Sequence, residues 1–174
     1  MSKAPRSVRS FETIEVADLH RLARLAHARI EVAFARHPQK RALYDGHLLA
    51  ICLCQGAAGH FVDPVASAGV HDFDMWAFFR RRPGALLWNR KPFTADFGPS
   101  KFGRSPLDPA RYEGRRVDVL WRCIPAEAHE DARSAIRRYF AEPRTASAKA
   151  LRLKAAVMAW PPEGAGGIVW RPGS

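Results

Sequence analysis

From Thr13 onward the apolar positions recur at three- and four-residue spacing: Val16, Leu19, Ala23, Ala26, Ile30, Ala33 and Phe34. That period predicts one long amphipathic helix. Thr13 is placed to cap it, Glu15 and Asp18 favour its start, and Arg36, His37 and Pro38 favour its end. His20 and His27 lie seven residues apart on it and read as surface residues rather than a metal pair. The pattern then changes. Residues 48–54 are apolar at every position, which suits a strand inside a covered sheet. Gln55-Gly-Ala-Ala-Gly59 reads as a turn opening into a short helix, and residues 64–69 as a loop. Residues 70–79 and 117–124 are predicted as the next long strands. Pro125 suits the first turn of a helix running to Phe140, with Ala128, Ala132, Ile136 and Tyr139 inward. A short helix over 147–153 follows, then strands over 155–160 and 167–170 joined by a Pro-Pro-Glu-Gly turn. Residues 1–12 read as loose, and residues 80–116, rich in Arg, Pro and Gly, as a long basic loop or insertion.

This order of elements over 174 residues predicts a single α+β domain, a small mixed β-sheet with helices packed on it. The composition, 47% hydrophobic and 26% charged, is that of a globular chain and excludes disordered and fibrous classes. The run Leu48–Cys54 is too short to cross a bilayer, and no apolar stretch follows the charged N-terminus, so neither a membrane partner nor a secretory leader is expected. Cys52, Cys54 and Cys123 all sit in apolar segments, which suits buried free thiols in a cytoplasmic protein. No second Cys/His pair stands at ligand spacing, so zinc is not expected.

Charge changes the picture more than composition does. The formal net charge is +11, and much of the excess lies between Arg80 and Arg122, where the acids are Asp96, Asp108, Glu113 and Asp118. Arg80, Arg81, Arg82, Arg115 and Arg116 are the candidates to meet a nucleotide, a nucleic acid or another polyanion. A solvated basic surface is the alternative. Trp76, Trp121, Trp160 and Trp170 are interleaved with basic residues, a pattern that suits base stacking as well as core packing, with Trp121 assigned to the core.

Carboxylates supply the chemistry. In Asp72-Phe-Asp74 the strand period of two puts both acids on one face, with Phe73 and Met75 on the other. Asp118 sits between Val117 and Val119 on a later strand, so its carboxylate also leaves the core face. Three like charges on neighbouring strands are tolerated where cations neutralise them; the alternative is that Asp72 and Asp74 simply pair with nearby arginines at a sheet edge. Upstream, the strand–Gly56-Ala57–helix turn offers backbone N–H groups as a phosphate seat.

An apolar strand, Gly56-Ala57 opening a helix, Asp72-Phe-Asp74 and then Asp118 within Arg-Val-Asp-Val-Leu together resemble the nucleotidyltransferase superfamily of DNA polymerase beta. Ala57 stands where that family has Gly or Ser, and the stretch from Gly56 to Asp72 is longer than its usual spacing. The resemblance implies a nucleotidyltransferase-like fold. It implies two magnesium ions held by Asp72, Asp74 and Asp118, an NTP as substrate, and Asp118 orienting the attacking hydroxyl. A non-catalytic nucleotide- or nucleic-acid-binding module and a metal-dependent nuclease are the alternatives. The nuclease is weakened because Leu120 stands where a lysine normally follows the strand acid. The segment Gly98-Pro-Ser-Lys-Phe-Gly-Arg-Ser105 is not a P-loop, since Arg104 replaces the lysine and Pro106 and Pro109 impair the helix that must follow. Lys101 and Arg104 within it are candidate phosphate contacts. His60 and Asp63 are possible substrate contacts near the phosphate turn, and His71 faces away from Asp72.

Overall fold

The computed structural model describes residues 8–84 and 92–173. Its centre is a six-stranded mixed sheet of β1 (Leu48–Cys54), β2 (Phe73–Arg80), β3 (Phe93–Asp96), β4 (Arg116–Ile124), β5 (Ala156–Trp160) and β6 (Ile168–Trp170). The spatial order is β3-β4-β2-β1-β5-β6; β2 and β4 run parallel and every other pair antiparallel. The helices are α1 (Val16–Arg36), α2 (Pro38–Tyr44), α3 (Gln55–Val62), α4 (Ala132–Ala141) and α5 (Ala146–Leu151). The protein is therefore α+β. No helix among the described residues is long and apolar enough to cross a membrane.

Strand parity builds a core on each face. Ile51, Leu53, Phe73, Met75, Ala77, Phe79, Val117 and Val119 pack beneath α1, α2 and α3. Ala50, Cys52, Cys54, Trp76, Phe78 and Ile124 pack with Ile136 and Phe140 of α4 and Leu151 of α5. Full burial of a large apolar side chain contributes roughly 1.5–3 kcal/mol, so both layers hold the sheet firmly. The three cysteines are buried free thiols.

Several elements differ from expectation. Helix α1 begins at Val16, with the Glu15 N–H donating to Asp18 Oδ2 at 2.9 Å, because this reciprocal box closes the first turn better than Thr13 alone. Helix α4 begins at Ala132 and not at Pro125. Asp131 caps it, its Oδ1 accepting from Ser134 N at 3.0 Å, while residues 125–130 remain outside the helix. The basic stretch contains β3, whose pairing with β4 continues into a turn pinned by Asp96; that carboxylate accepts from the N–H groups of Gly98, Glu113 and Gly114. Nor are residues 8–12 loose as a whole, since Ser10 bridges Val70. Gly69 makes this possible, at φ +78° with room only for hydrogen where a Cβ would meet the Ser10 carbonyl at 2.7 Å. Residues 1–7, and Arg90 and Lys91 of the basic stretch, lie outside the described residues.

One end of the sheet gathers distant parts of the chain. Cys54, the last residue of β1, pairs with Asp74 on one side and Ala156 on the other, and Ala156 pairs with Trp170. The start of α3, the approach to β2, the approach to β5 and the exit from β6 therefore meet at that end.

Candidate carboxylate site and adjoining cationic cavity

Asp74 of β2 stands directly opposite Asp118 of β4 in the parallel register. Asp72 lies two residues before Asp74 and shares its face, opposite to that of Phe73 and Met75. Between them reaches a residue that charge counting assigned to polyanion binding. Arg116 Nη2 donates to Asp72 Oδ2 at 2.9 Å, and its Nε lies 3.3 Å from Asp118 Oδ1 without hydrogen-bond alignment. The Arg116 backbone N–H donates to Asp108 Oδ2 at 3.2 Å, which fixes the start of β4. The three carboxylates therefore form one cluster, with a guanidinium as its nearest counter-charge.

The electrostatics are uneven. Burial, then the charges of Asp72 and Asp118, push the Asp74 carboxyl up to about 7, against the opposing pull of Arg116 and Lys154. Burial also raises Asp118; Arg116 opposes that shift, and Asp72 and Asp108 add to it. Burial alone would lower the Arg116 guanidinium, but Asp118, Asp72 and Asp108 hold it above its ordinary value. Among the described residues, Asp74 is the acid of the three with no guanidinium at ion-pair distance. Carboxylate oxygens are the hard donors that magnesium prefers, and a dication would relieve the repulsion on Asp74. As the side chains stand, Arg116 occupies part of that role, and among the described residues no group of three or more His, Cys, Asp or Glu is placed to hold a metal ion.

The predicted phosphate seat divides. Gly56 is exposed in the first turn of α3, whereas the Ala57 side chain is buried in the core beneath that helix. Beside Gly56 opens a cavity of about 480 Å³ lined by Gln55, Gly56, Ser67, Arg9, Lys154 and Arg171, among others. Its three cations come from segments far apart in sequence, so no local pattern announces them. Lys154 belongs to both places, lining the cavity and acting on Asp74.

Other candidates are redistributed. Lys101 pairs with Glu15 and Asp18 at 3.3 and 3.2 Å, beside the start of α1 and away from the carboxylate face. In this arrangement the acidic first turn of α1 takes its charge. Arg104 is exposed and its Nη2 donates to the Asp108 carbonyl at 3.4 Å, bordering the start of β4. Arg115 lies inside the fold. Only 2% exposed, it donates to the carbonyls of Phe102, Val8 and His71 at 3.0, 2.7 and 3.2 Å. Arg80 holds the carbonyls of Ala126 and Glu127, so it serves the turn before α4. Arg81 and Arg82 remain exposed. Trp121 is core, stacked on Phe93 at 4.7 Å. The rings of Trp76 and Trp170 are faced by Arg122 and Arg152, and Trp160 packs against His27, so the chain itself supplies their partners.

No family model, curated protein or solved structure matches the chain.

Proposed function

We propose that this protein is a nucleotidyltransferase-like enzyme that transfers a nucleotidyl group from an NTP to an acceptor hydroxyl, with magnesium held by Asp72, Asp74 and Asp118. The observation that carries the reading is the direct register of Asp74 with Asp118, with Asp72 on the same face and the opening of α3 beside them. Magnesium, when bound, neutralises charge on the phosphates and lowers the cost of attack at phosphorus. The chain's own residues do the rest. Asp118 orients the attacking hydroxyl. The N–H groups at the start of α3, with Arg9, Lys154 and Arg171, receive the polyphosphate and position it for in-line displacement. Arg116, which contacts Asp72 and Asp118, would have to give up those contacts for the acids to hold a cation, and its guanidinium would then be free to meet the phosphates.

Arg116 also favours a second reading. A guanidinium that permanently neutralises the acids would leave a nucleotide-binding module without turnover. Calorimetric titration with a non-hydrolysable NTP, and pyrophosphate release from the hydrolysable one, separate the two. Magnesium-dependent binding with pyrophosphate release supports the enzyme. Magnesium-independent binding with no release supports the module, and no binding rejects both.

A further inference from the structure

His60 and Ser67 form a pair that the carboxylate chemistry does not use. His60 is 1% exposed, and each of its ring nitrogens has one partner: Nε2 lies 3.0 Å from the Glu12 carbonyl and Nδ1 lies 2.5 Å from Ser67 Oγ. A carbonyl only accepts, so Nε2 carries a hydrogen, and in the neutral ring Nδ1 is then the acceptor. The Ser67 hydroxyl therefore donates its proton to Nδ1. The Gly69 N–H donates to the same oxygen at 3.1 Å, which fixes its orientation. This is a hydroxyl in contact with a base, and the base is oriented by a third group, the arrangement that activates a serine.

Its surroundings give the pair a direction. Ser67 is half-buried and lines the cavity that also presents Arg9, Lys154, Arg171 and the opening of α3 at Gln55 and Gly56. Gln55 directly follows Cys54, the register partner of Asp74, and Lys154 acts on both the cavity and Asp74. A polyphosphate seated there lies within reach of the serine. We infer that Ser67 is itself an acceptor: the protein nucleotidylates its own Ser67, with His60 as the base. The inference rests on the nucleotidyltransferase reading and names the hydroxyl it serves. Ser67 Oγ attacks the α-phosphorus of a nucleoside triphosphate, an Oγ–P bond forms and the bond from that phosphorus to the bridging oxygen breaks. The hydroxyl proton passes to His60 Nδ1, and pyrophosphate leaves with the bond electrons.

Intact-mass measurement and peptide mapping of the full chain, after incubation with magnesium and each of the four NTPs, test this. Thermal melts with the same nucleotides run in parallel. The expected result is one nucleoside-monophosphate unit on Ser67, absent from Ser67→Ala and Asp74→Asn, and slowed about 100-fold in His60→Gln. Ser67→Thr keeps the hydroxyl and the bond to His60, and it should carry the adduct if Ser67→Ala proves unstable. An adduct on another residue, or one that persists undiminished in Ser67→Ala, overturns the inference. Nucleotide stabilisation with pyrophosphate release but no adduct also overturns it, while leaving the nucleotidyltransferase reading intact. No stabilisation, release or adduct overturns both.

Discussion

Asp74 and Asp118 face one another across the parallel β2–β4 pair, and Arg116 lies at ion-pair distance from Asp118 while acting on Asp74 from farther off. A parallel ladder holds directly opposed residues at strand spacing, close enough for like charges to be felt strongly. Acids in such a position cost stability unless a cation or a proton intervenes. That asymmetry directs the first two predictions.

Replacing Asp74 with Asn removes one charge at nearly constant volume. The folded-state carboxyl sits at about 7, above its ordinary value of 3.8, so the native state binds the proton more tightly than the unfolded chain. Stability contributed by the protonated acid is complete below about pH 4 and is lost as pH rises to about 7. Above that, Asp74 is a net cost. Asp74→Asn should therefore be more stable than the parent by about 1–2 kcal/mol at pH 8 without metal, the full shift being discounted for solvent screening. The advantage should shrink steadily by pH 5. Denaturant melts at both pH values check it, and a less stable Asn variant at pH 8 would show that Asp74 has a favourable partner.

Arg116→Gln removes the guanidinium from Asp72 and Asp118. The metal-free protein should lose about 1–2 kcal/mol, because two partly buried carboxylates are left facing one another. Magnesium alone should then raise the melting temperature more than it does in the parent, since the competing cation is gone. If magnesium gives equal or smaller gains in the variant, Arg116 is not a stand-in for metal.

How far the sequence discloses this site depends on which physical signal each residue leaves. Parity placed Asp72 and Asp74 on one face, and the valines around Asp118 placed its carboxylate on the face of β4 opposite their own. Parity also applied to Arg115, which has the phase of Val117 and Val119 and so points toward the core; net charge obscured that. Arg116 has the phase of Asp118, but its pairing with Asp72 requires knowing that β2 and β4 are parallel neighbours, which no local pattern states. The cavity cations are illegible for the same reason, because Lys154 and Arg171 meet through the pairing of β5 with β6 and Arg9 joins them through the Ser10–Val70 bridge. Strand β3 has just four residues, and a turn anchored by Asp96 rather than hydrophobic period maintains it. The start of α4 was legible: Asp131 three residues before Ser134 is a capping pattern, and Pro125 drew attention from it.

Arg115→Met should destabilise the protein by about 3 kcal/mol or more. It loses three charge-assisted bonds, and the carbonyl of Phe102, bonded within the buried interior, is left without its donor. Methionine keeps much of the stem packing, so the loss reports the bonds. Urea denaturation measures it. A change under 1 kcal/mol would mean that water replaces the guanidinium and that the site is less closed than the hydrogen bonds indicate.

The last prediction separates the basic surface from the basic framework. Arg81 and Arg82 are exposed beside the end of β2, whereas Arg80 is held by the carbonyls of Ala126 and Glu127 and Arg115 by its three. A polyanion that binds this face displaces counterions in proportion to the phosphates neutralised, and its affinity falls with salt accordingly. Replacing Arg81 and Arg82 together by Gln should weaken binding to a duplex DNA probe at low salt. It should also flatten the logarithmic salt slope by up to about 2, one for each phosphate no longer neutralised. Neither change should move the melting temperature appreciably, because exposed arginines without a fixed geometry contribute little to stability. Arg80→Gln should do the reverse, leaving the slope alone while loosening the turn before α4. Fluorescence anisotropy over a salt series, with melts of each variant, reads both quantities. If the double variant retains the parent's affinity and slope, Arg81 and Arg82 serve solubility, and the polyanion role of this face falls with them.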